Sequence, residues 1–436
     1  MTNAFEETKI PPGTGHPIGD ADISLRHLFV FATVAREGSA ASAAGKLLRG
    51  SSAIVRSVGA LERQLGERLF DRHPRGMVIN AFGQAVLTRA DRIAAELTEL
   101  SQAVDERRSA PPGGRARAIF SALPNSRSLA FVVALAERSN MAAVAREFGL
   151  THAAISTALK TLEDRSEIEL FDRSPRGLVT TELGQIVVFR FRRCLAELRH
   201  IDSDLSALKG TMQGLVRVGA LPLGRTMILP RCLASTVSKY PQLQFATLES
   251  PYDILAAQLR SGDIDFIFGA LRPPNETGDL SQYALFDDRV SVISRSGHPL
   301  ARKEALGVDD LRGEKWILWR PESPARASLR RTFLQSGLDA PHPCIETGDV
   351  AILRGVLLQS DMLTAISASQ LRYEIESKDL TVLPIALKET RRSIGITLRF
   401  GALPSSGARI LIDEIRALID RMISRGELLP VAHPGH

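Results

Sequence analysis

Three cysteines, Cys194, Cys232 and Cys344, are all that the 436 residues contain. They are widely spaced and odd in number, which excludes a disulfide framework and a paired-cysteine metal knuckle and points to a reducing compartment. Aromatic residues are sparse, and the two tryptophans, Trp316 and Trp319, stand at i and i+3 in an apolar run. That placement suits a core better than a ligand platform. No stretch of ~18 uninterrupted apolar residues occurs, so no membrane-spanning helix is expected. Residues 1–22 lack a charged segment followed by an apolar one and read as a disordered tail rather than a leader. Within them Gly13-Thr14-Gly15-His16-Pro17-Ile18-Gly19 fails as a dinucleotide fingerprint, because its last glycine is one place late and no strand precedes it. A P-loop, His-Glu-x-x-His and Gly-x-Ser-x-Gly are also missing, and the nine histidines are scattered. No catalytic residue, metal site or cofactor is therefore expected. Nor is there an excess of one charge: 55 Lys and Arg stand against 49 Asp and Glu, with 28 against 24 in residues 1–213. Such a balance permits a polyanionic partner without demonstrating one.

What is present is the composition of a globular protein, 44% apolar and 24% charged, in a chain long enough for roughly three domains. Its organising feature is a repeat. Leu69-Phe70-Asp71-Arg72-His73-Pro74-Arg75-Gly76 recurs 101 residues later as Leu170-Phe171-Asp172-Arg173-Ser174-Pro175-Arg176-Gly177, with one change. At the same offset and without a gap, Ala53-Ile54 meets Ala154-Ile155, Leu61-Glu62 meets Leu162-Glu163, and Gly83-Gln84 meets Gly184-Gln185. Two copies are too few for a solenoid and imply one small domain present twice.

In the first copy, apolar residues at helical spacing from Ile23 to Val34 end at Glu37-Gly38. A short helix capped by Ser39 and lined by Ala40, Ala43, Ala44 and Leu47 follows. After the turn Arg49-Gly50-Ser51, a third helix buries Ala53, Ile54, Val58 and Leu61. Helix, turn and helix make a helix-turn-helix. Arg72 to Gly76, with two breakers, reads as a wing with Met77 to Ile79 returning, and a long helix with one apolar stripe runs from Phe82 to Val104. Residues 109–127 are a linker of Ala, Pro, Gly and Arg. The second copy repeats the order, with helices at about 128–137, 140–148 and up to 165, a wing at Pro175 and a long helix at 182–209. From Gly214 the pattern alternates strand and helix: strands at 215–220, 243–248 and 265–269, helices at 228–238 and 254–260. That order predicts a parallel sheet with helices on its faces.

These residues carry a resemblance. Ala43-Ala44, Ala53-Ile54, Leu61-Glu62, Leu65-Gly66, Leu69-Phe70-Asp71-Arg72 and Gly83 together resemble the winged helix-turn-helix of LysR-type transcriptional regulators. Tyr240-Pro241, Leu259 to Phe266 as Leu-Arg-Ser-Gly-Asp-Ile-Asp-Phe, and His298-Pro299-Leu300-Ala301 resemble the family's effector domain. The resemblance covers about Ser24 to Leu418 and departs from the family in its doubled N-terminal domain. It implies a multidomain fold: two all-α winged helix-turn-helix domains with long linker helices (23–108 and 128–213), then an α/β two-lobed effector domain like periplasmic binding proteins (214–430). Lobe I is expected at 214–271 and 380–430, and lobe II at 272–379. The implied function is sequence-specific DNA-binding transcriptional regulation in response to a small molecule. The alternative is a cytoplasmic small-molecule binding protein whose helical half serves only for assembly. Expected partners are double-stranded DNA, a small-molecule effector such as a sugar or organic acid, and RNA polymerase. A cytoplasmic homo-oligomer with no membrane partner is expected.

Recognition helices read bases with short polar side chains near their N-termini and hold phosphates with neighbouring cations. The second copy offers Thr151, His152, Ser156, Thr157 and Lys160, although Thr151 equally suits a helix cap. The first offers Ser51, Ser52 and Arg56, with Val55 where the family usually has Ser. In the wings, Arg75 and Arg176 are the better candidates for DNA. Arg72 and Arg173 equally suit salt bridges to Asp71 and Asp172. The two long helices could pair within one chain, which would then present two readers about a pseudo-two-fold axis. Otherwise one copy only buttresses or dimerises. For the effector, Leu223, Gly224, Arg225 and Thr226 enter the first helix of lobe I. By family position Ala270, Thr347, Gly348, Asp349 and Ser367 contribute from the crossovers and the other lobe, against a bland reading of caps and turns. Gly219 to Thr226 resembles the sugar-responsive subgroup that includes galactose-binding-protein regulators.

Overall fold

A computed structural model describes residues 22–73, 76–108, 125–174, 177–385, 387 and 390–432. They form two compact units: the first runs to Gly214 with 261–263 and 405–407, and the second holds the rest.

The first unit contains one run of elements twice. Helices α1 (Leu25–Glu37), α2 (Ala40–Leu47) and α3 (Ser51–Leu65) lead to strands β1 (Phe70–His73) and β2 (Gly76–Ile79) and the long α4 (Ala81–Arg108). Then α5 (Ser126–Arg138), α6 (Met141–Glu147), α7 (His152–Ser166), β3 (Phe171–Ser174), β4 (Gly177–Thr180) and α8 (Glu182–Leu208) follow in the same order. The repeated residues account for this. Glu62 Oε1 accepts from Leu69 N at 2.8 Å, and Glu163 Oε1 accepts from Leu170 N at 2.8 Å, so each Leu-Glu ties its third helix to the wing entry. A Cβ on Gly83 would stand 2.2 Å from the Leu69 carbonyl oxygen, and one on Gly184 would stand 2.1 Å from that of Leu170. Only glycine admits those approaches. Elsewhere the backbone is kept and the side chain is not: Gly38 and Gly66 hold left-handed φ values of 72°, and Ser139 and Glu167 hold 52° and 53° at the equivalent positions.

Helices α4 and α8 pack together antiparallel, Arg107 near the end of one meeting Glu182 at the start of the other at 3.0 Å. Their apolar stripes, including Ile93, Leu97 and Leu100 on α4 and Leu195, Leu198 and Ile201 on α8, join both copies into a single hydrophobic core. Internal pairing, one of the two readings open from sequence, is the arrangement observed.

In the second unit β5 (Gly214–Ala220), α9 (Pro222–Thr226), α10 (Ile228–Lys239), β6 (Leu243–Leu248), α11 (Tyr252–Ser261) and β7 (Phe266–Ala270) open an α/β layer. The 16-residue β8 (Leu280–Arg295) follows, then β9 (Trp316–Leu318), α12 (Pro324–Gln335), β10 (Pro343–Glu346), α13 (Val350–Gln359), β11 (Thr364–Ser367), β12 (Leu380–Val382), β13 (Arg391–Arg399) and α14 (Ser406–Ser424). The expected parallel sheet is mixed instead. β5 pairs β7 in parallel, but β13 inserts antiparallel to both β7 and β8, in the order β11-β8-β13-β7-β5-β6. A small cluster of Leu221, Leu255, Ile267 and Leu280 packs on it, and two larger cores lie along it among the described residues. One holds Phe266, Phe268, Phe286, Ile394 and Ile415, the other Val290, Trp316, Leu353 and Leu380. The first of these cores takes Phe286 and Ile394 from β8 and β13, and the second takes Val290 from β8 with Leu387 packed against it. Because β8 is one unbroken strand through both cores, no sequence break marks the crossing. Trp316 and Trp319 are buried, with Trp316 edge-on to Phe333.

Candidate nucleic-acid interface and effector cleft

Each third helix buries one stripe and leaves a polar face free. On α3, Ile54, Val58 and Leu61 are buried while Ser51, Ser52 and Arg56 are exposed. On α7, Ile155, Leu159 and Leu162 are buried, Thr151, His152, Thr157 and Lys160 are exposed, and Ser156 is half-buried. Thr151 does cap its helix, Oγ1 accepting from Ala154 N at 3.1 Å, whereas Gly50 at the matching place offers no side chain. Arg75 and Arg176 lie outside the described residues, as does the glycine-rich stretch at 13–19; of Arg72 and Arg173 only the strand backbone is described. Sequence reasoning singled out Val55 but not the apolar residues of the wings. Val55 is 48% exposed beside Arg56, and Val78 and Val179, one per wing and 101 residues apart, are each 52% exposed. A branched apolar group there can meet a thymine methyl, which polar-residue searches do not seek.

The paired helices carry buried charge. Arg89, fully buried, donates to Glu197 Oε2 at 2.8 Å and Asp204 Oδ2 at 2.8 Å, and stands 3.3 Å from His200 Nδ1. Arg92 Nε meets Glu197 at 2.7 Å, and its counterpart Arg193 meets Glu96 at 2.6 Å. Burial pushes the Glu197 carboxyl up, but His200, Arg89 and Arg92 together outweigh it and hold it below its ordinary value. These ion pairs tie the two long helices together.

In the second unit α9 packs against the 3₁₀ turn Ala368–Leu371, which brings Leu223 to Thr226 beside the segment that follows Ser367. Leu223 and Gly224 are buried, and a Cβ on Gly224 would stand 2.7 Å from Phe268 Cδ1. Arg225 and Thr226 are half-buried, and Thr226 Oγ1 donates to Leu223 O at 3.1 Å. Ser367 donates to Asp288 Oδ1 at 2.5 Å, and Asp288 also takes Arg392 at 2.9 Å, a brace on the crossing strands. Ala270 ends β7 opposite Ile394. Thr347, Gly348 and Asp349 form a helix start, with Asp349 Oδ1 accepting from Ala351 N at 2.6 Å and Thr347 Oγ1 from Asp349 N at 3.1 Å. Sequence reasoning missed Gln370, which is buried in the turn against α9 with Nε2 unpartnered. It also missed a cavity of about 840 Å³ where Arg272, Arg326, Arg330, Arg331, Arg391 and Arg392 converge. Arg272 lies over the Tyr252 ring at 4.4 Å, and burial lowers its pKa from the ordinary value. Arginines distant in sequence leave no local pattern.

The family model for the bacterial regulatory helix-turn-helix protein, lysR family, matches residues 25–84 and again 126–185, and that for the LysR substrate binding domain matches 209–420. The HTH-type transcriptional regulator GalR of Pseudomonas putida is 42% identical over 401 residues, 91% of this chain and 98% of that protein. The DNA-binding transcriptional dual regulator OxyR of Escherichia coli is 27% identical over 296 residues, 68% of this chain and 96% of its own. A full-length OxyR variant of Pseudomonas aeruginosa shares the fold, with a TM-score of 0.51 at 20% identity over 67% of this chain and 94% of its own. The matches span both the helical and the α/β regions, and the chain belongs to the LysR family of DNA-binding transcriptional regulators that bind small-molecule effectors.

Proposed function

We propose that both winged helix-turn-helix copies bind double-stranded DNA, and that an effector in the second unit biases how they engage it. The observation that carries this is the pair of exposed, polar third-helix faces, each on a helix whose other stripe is fully packed. Ser51, Ser52 and Arg56 would read one half-site with Val55, and His152, Ser156, Thr157 and Lys160 the other. Arg72, Arg75, Arg173 and Arg176 would grip phosphates or a narrow minor groove. The chain then acts in the cytoplasm, with RNA polymerase downstream, and each chain of a homo-oligomer carries its own pair of readers.

For the effector we favour an organic acid over a neutral sugar, because six arginines line the cavity and, although Arg326, Arg391 and Arg392 meet Glu346, Asp287 and Asp288, Arg330 and Arg331 add further positive charge. Arg225, Thr226 and Gln370 would add polar contacts at α9. Binding closes one arrangement of the lobes and shifts the population of DNA-competent states. Footprinting of the full chain on its own upstream DNA tests the first part: protection there is expected, and none would refute it. Calorimetry with a panel of organic acids and sugars tests the second, where heat from sugars alone would refute the preference.

A further inference from the structure

We infer that one chain, alone, recognises an operator of two unlike half-sites in a fixed order. This deepens the DNA-binding reading above and rests on it. The first support is a pseudo-two-fold axis inside the chain. Arg92 meets Glu197, and Arg193 meets Glu96. Shifting either pair by 101 residues gives the other, so the axis passes beside Ala94 and Leu195. The copies are thereby related as inverted readers are.

The second support is that the axis is broken where it would matter. Arg190 meets Glu96 and Glu99, while its counterpart Arg89 meets Glu197, His200 and Asp204. Position 99 is Glu and 200 is His; 103 is Ala where 204 is Asp. Two first copies from separate chains would offer Arg89 no Asp204. Nearby the signs are exchanged: Arg36 pairs with Asp91 in the first copy, and Glu137 with Arg192 in the second. The two copies are therefore not interchangeable across the axis.

The third support is the reading faces themselves. Gly50, Ser51, Ser52, Val55, Arg56 and Gly59 in the first copy stand where the second has Thr151, His152, Ala153, Ser156, Thr157 and Lys160. An Arg with an apolar neighbour suits guanine next to a thymine methyl, whereas short hydroxyls with a Lys one turn on present a different pattern of groups to the groove. Inverted in geometry and unlike in chemistry, the readers require a non-palindromic site.

Selection from a randomised duplex library with the full-length chain tests this. Two unlike half-sites in one order are expected. A palindrome or a single half-site overturns the inference, whereas no enrichment of any sequence refutes DNA binding itself. Replacing the first face by the second (Gly50→Thr, Ser51→His, Ser52→Ala, Val55→Ser, Arg56→Thr, Gly59→Lys) should turn the selected site into a palindrome; an unaltered site counts against it. The last arm needs only mild variants. Arg56→Ala and a Thr157→Ala, Lys160→Ala pair should each weaken one half-site by roughly tenfold or more. Mixing the two proteins should restore nothing. Rescue in the mixture would mean that two chains share one operator and would sink the proposal.

Discussion

Gly83 and Gly184 show how a single missing Cβ orients a domain. Each lets the long helix cross the carbonyl that opens the wing, at 2.2 and 2.1 Å from where a methyl would stand. Gly83→Ala or Gly184→Ala forces backbone apart and should cost about 1–3 kcal/mol or more, read as a fall in the urea midpoint. Arg89 is a larger liability. Removing it by Arg89→Met strands the buried carboxylates of Glu197 and Asp204, a loss of about 3–5 kcal/mol. Arg190→Met, on the more exposed side of the axis, should cost less. Equal losses in urea unfolding would contradict the asymmetry between them.

At the scale of the paired helices, titration follows from the same groups. Glu197 has a lowered carboxyl despite its burial, so its contribution is fully present above the ordinary value of 4.5 and is lost as pH falls through the lower folded value. Glu137 runs the other way. Burial raises it, and although Arg192 opposes this, Asp263 shares that guanidinium, so Glu137 detracts from stability once pH exceeds its ordinary value. Urea midpoints measured from about pH 6 to pH 3 should fall at the acid end. Glu197→Gln should flatten that fall, and an unchanged slope would mean that Glu197 does not drive it.

For the whole molecule, the DNA-binding prediction is about salt. Arg75→Ala with Arg176→Ala should weaken binding to all sequences alike and reduce the slope of log affinity against log salt by about 0.9 for each phosphate no longer neutralised. A slope equal to that of the unaltered chain would take both wing arginines off the backbone. Changes at Ser156 or Thr157 should instead alter base preference and leave the slope alone.

The sequence by itself determined the repeat, the helix-turn-helix order and the family, because these rest on local spacing: Ala43-Ala44, Leu61-Glu62 and Gly83 each act within one turn or one short crossing. It also located the early strands of the second unit, whose apolar runs are contiguous. The exposed faces at Ser51 to Arg56 and His152 to Lys160 were legible for the same reason, since helical period alone decides which side is free. Tertiary structure decided what depends on residues far apart. The insertion of β13 between β7 and β8, the sharing of one core by Phe286 and Ile394, and the convergence of six arginines involve partners about 100 residues away and leave no local trace. Arg89 is the plainest case: an arginine on a helix reads as solvated, and only the arrival of α8, with Glu197 and Asp204 on its facing side, makes it a buried ion. Which of two long helices a helix pairs with is settled by whose charges meet in the dry interface, and those charges lie on the other copy.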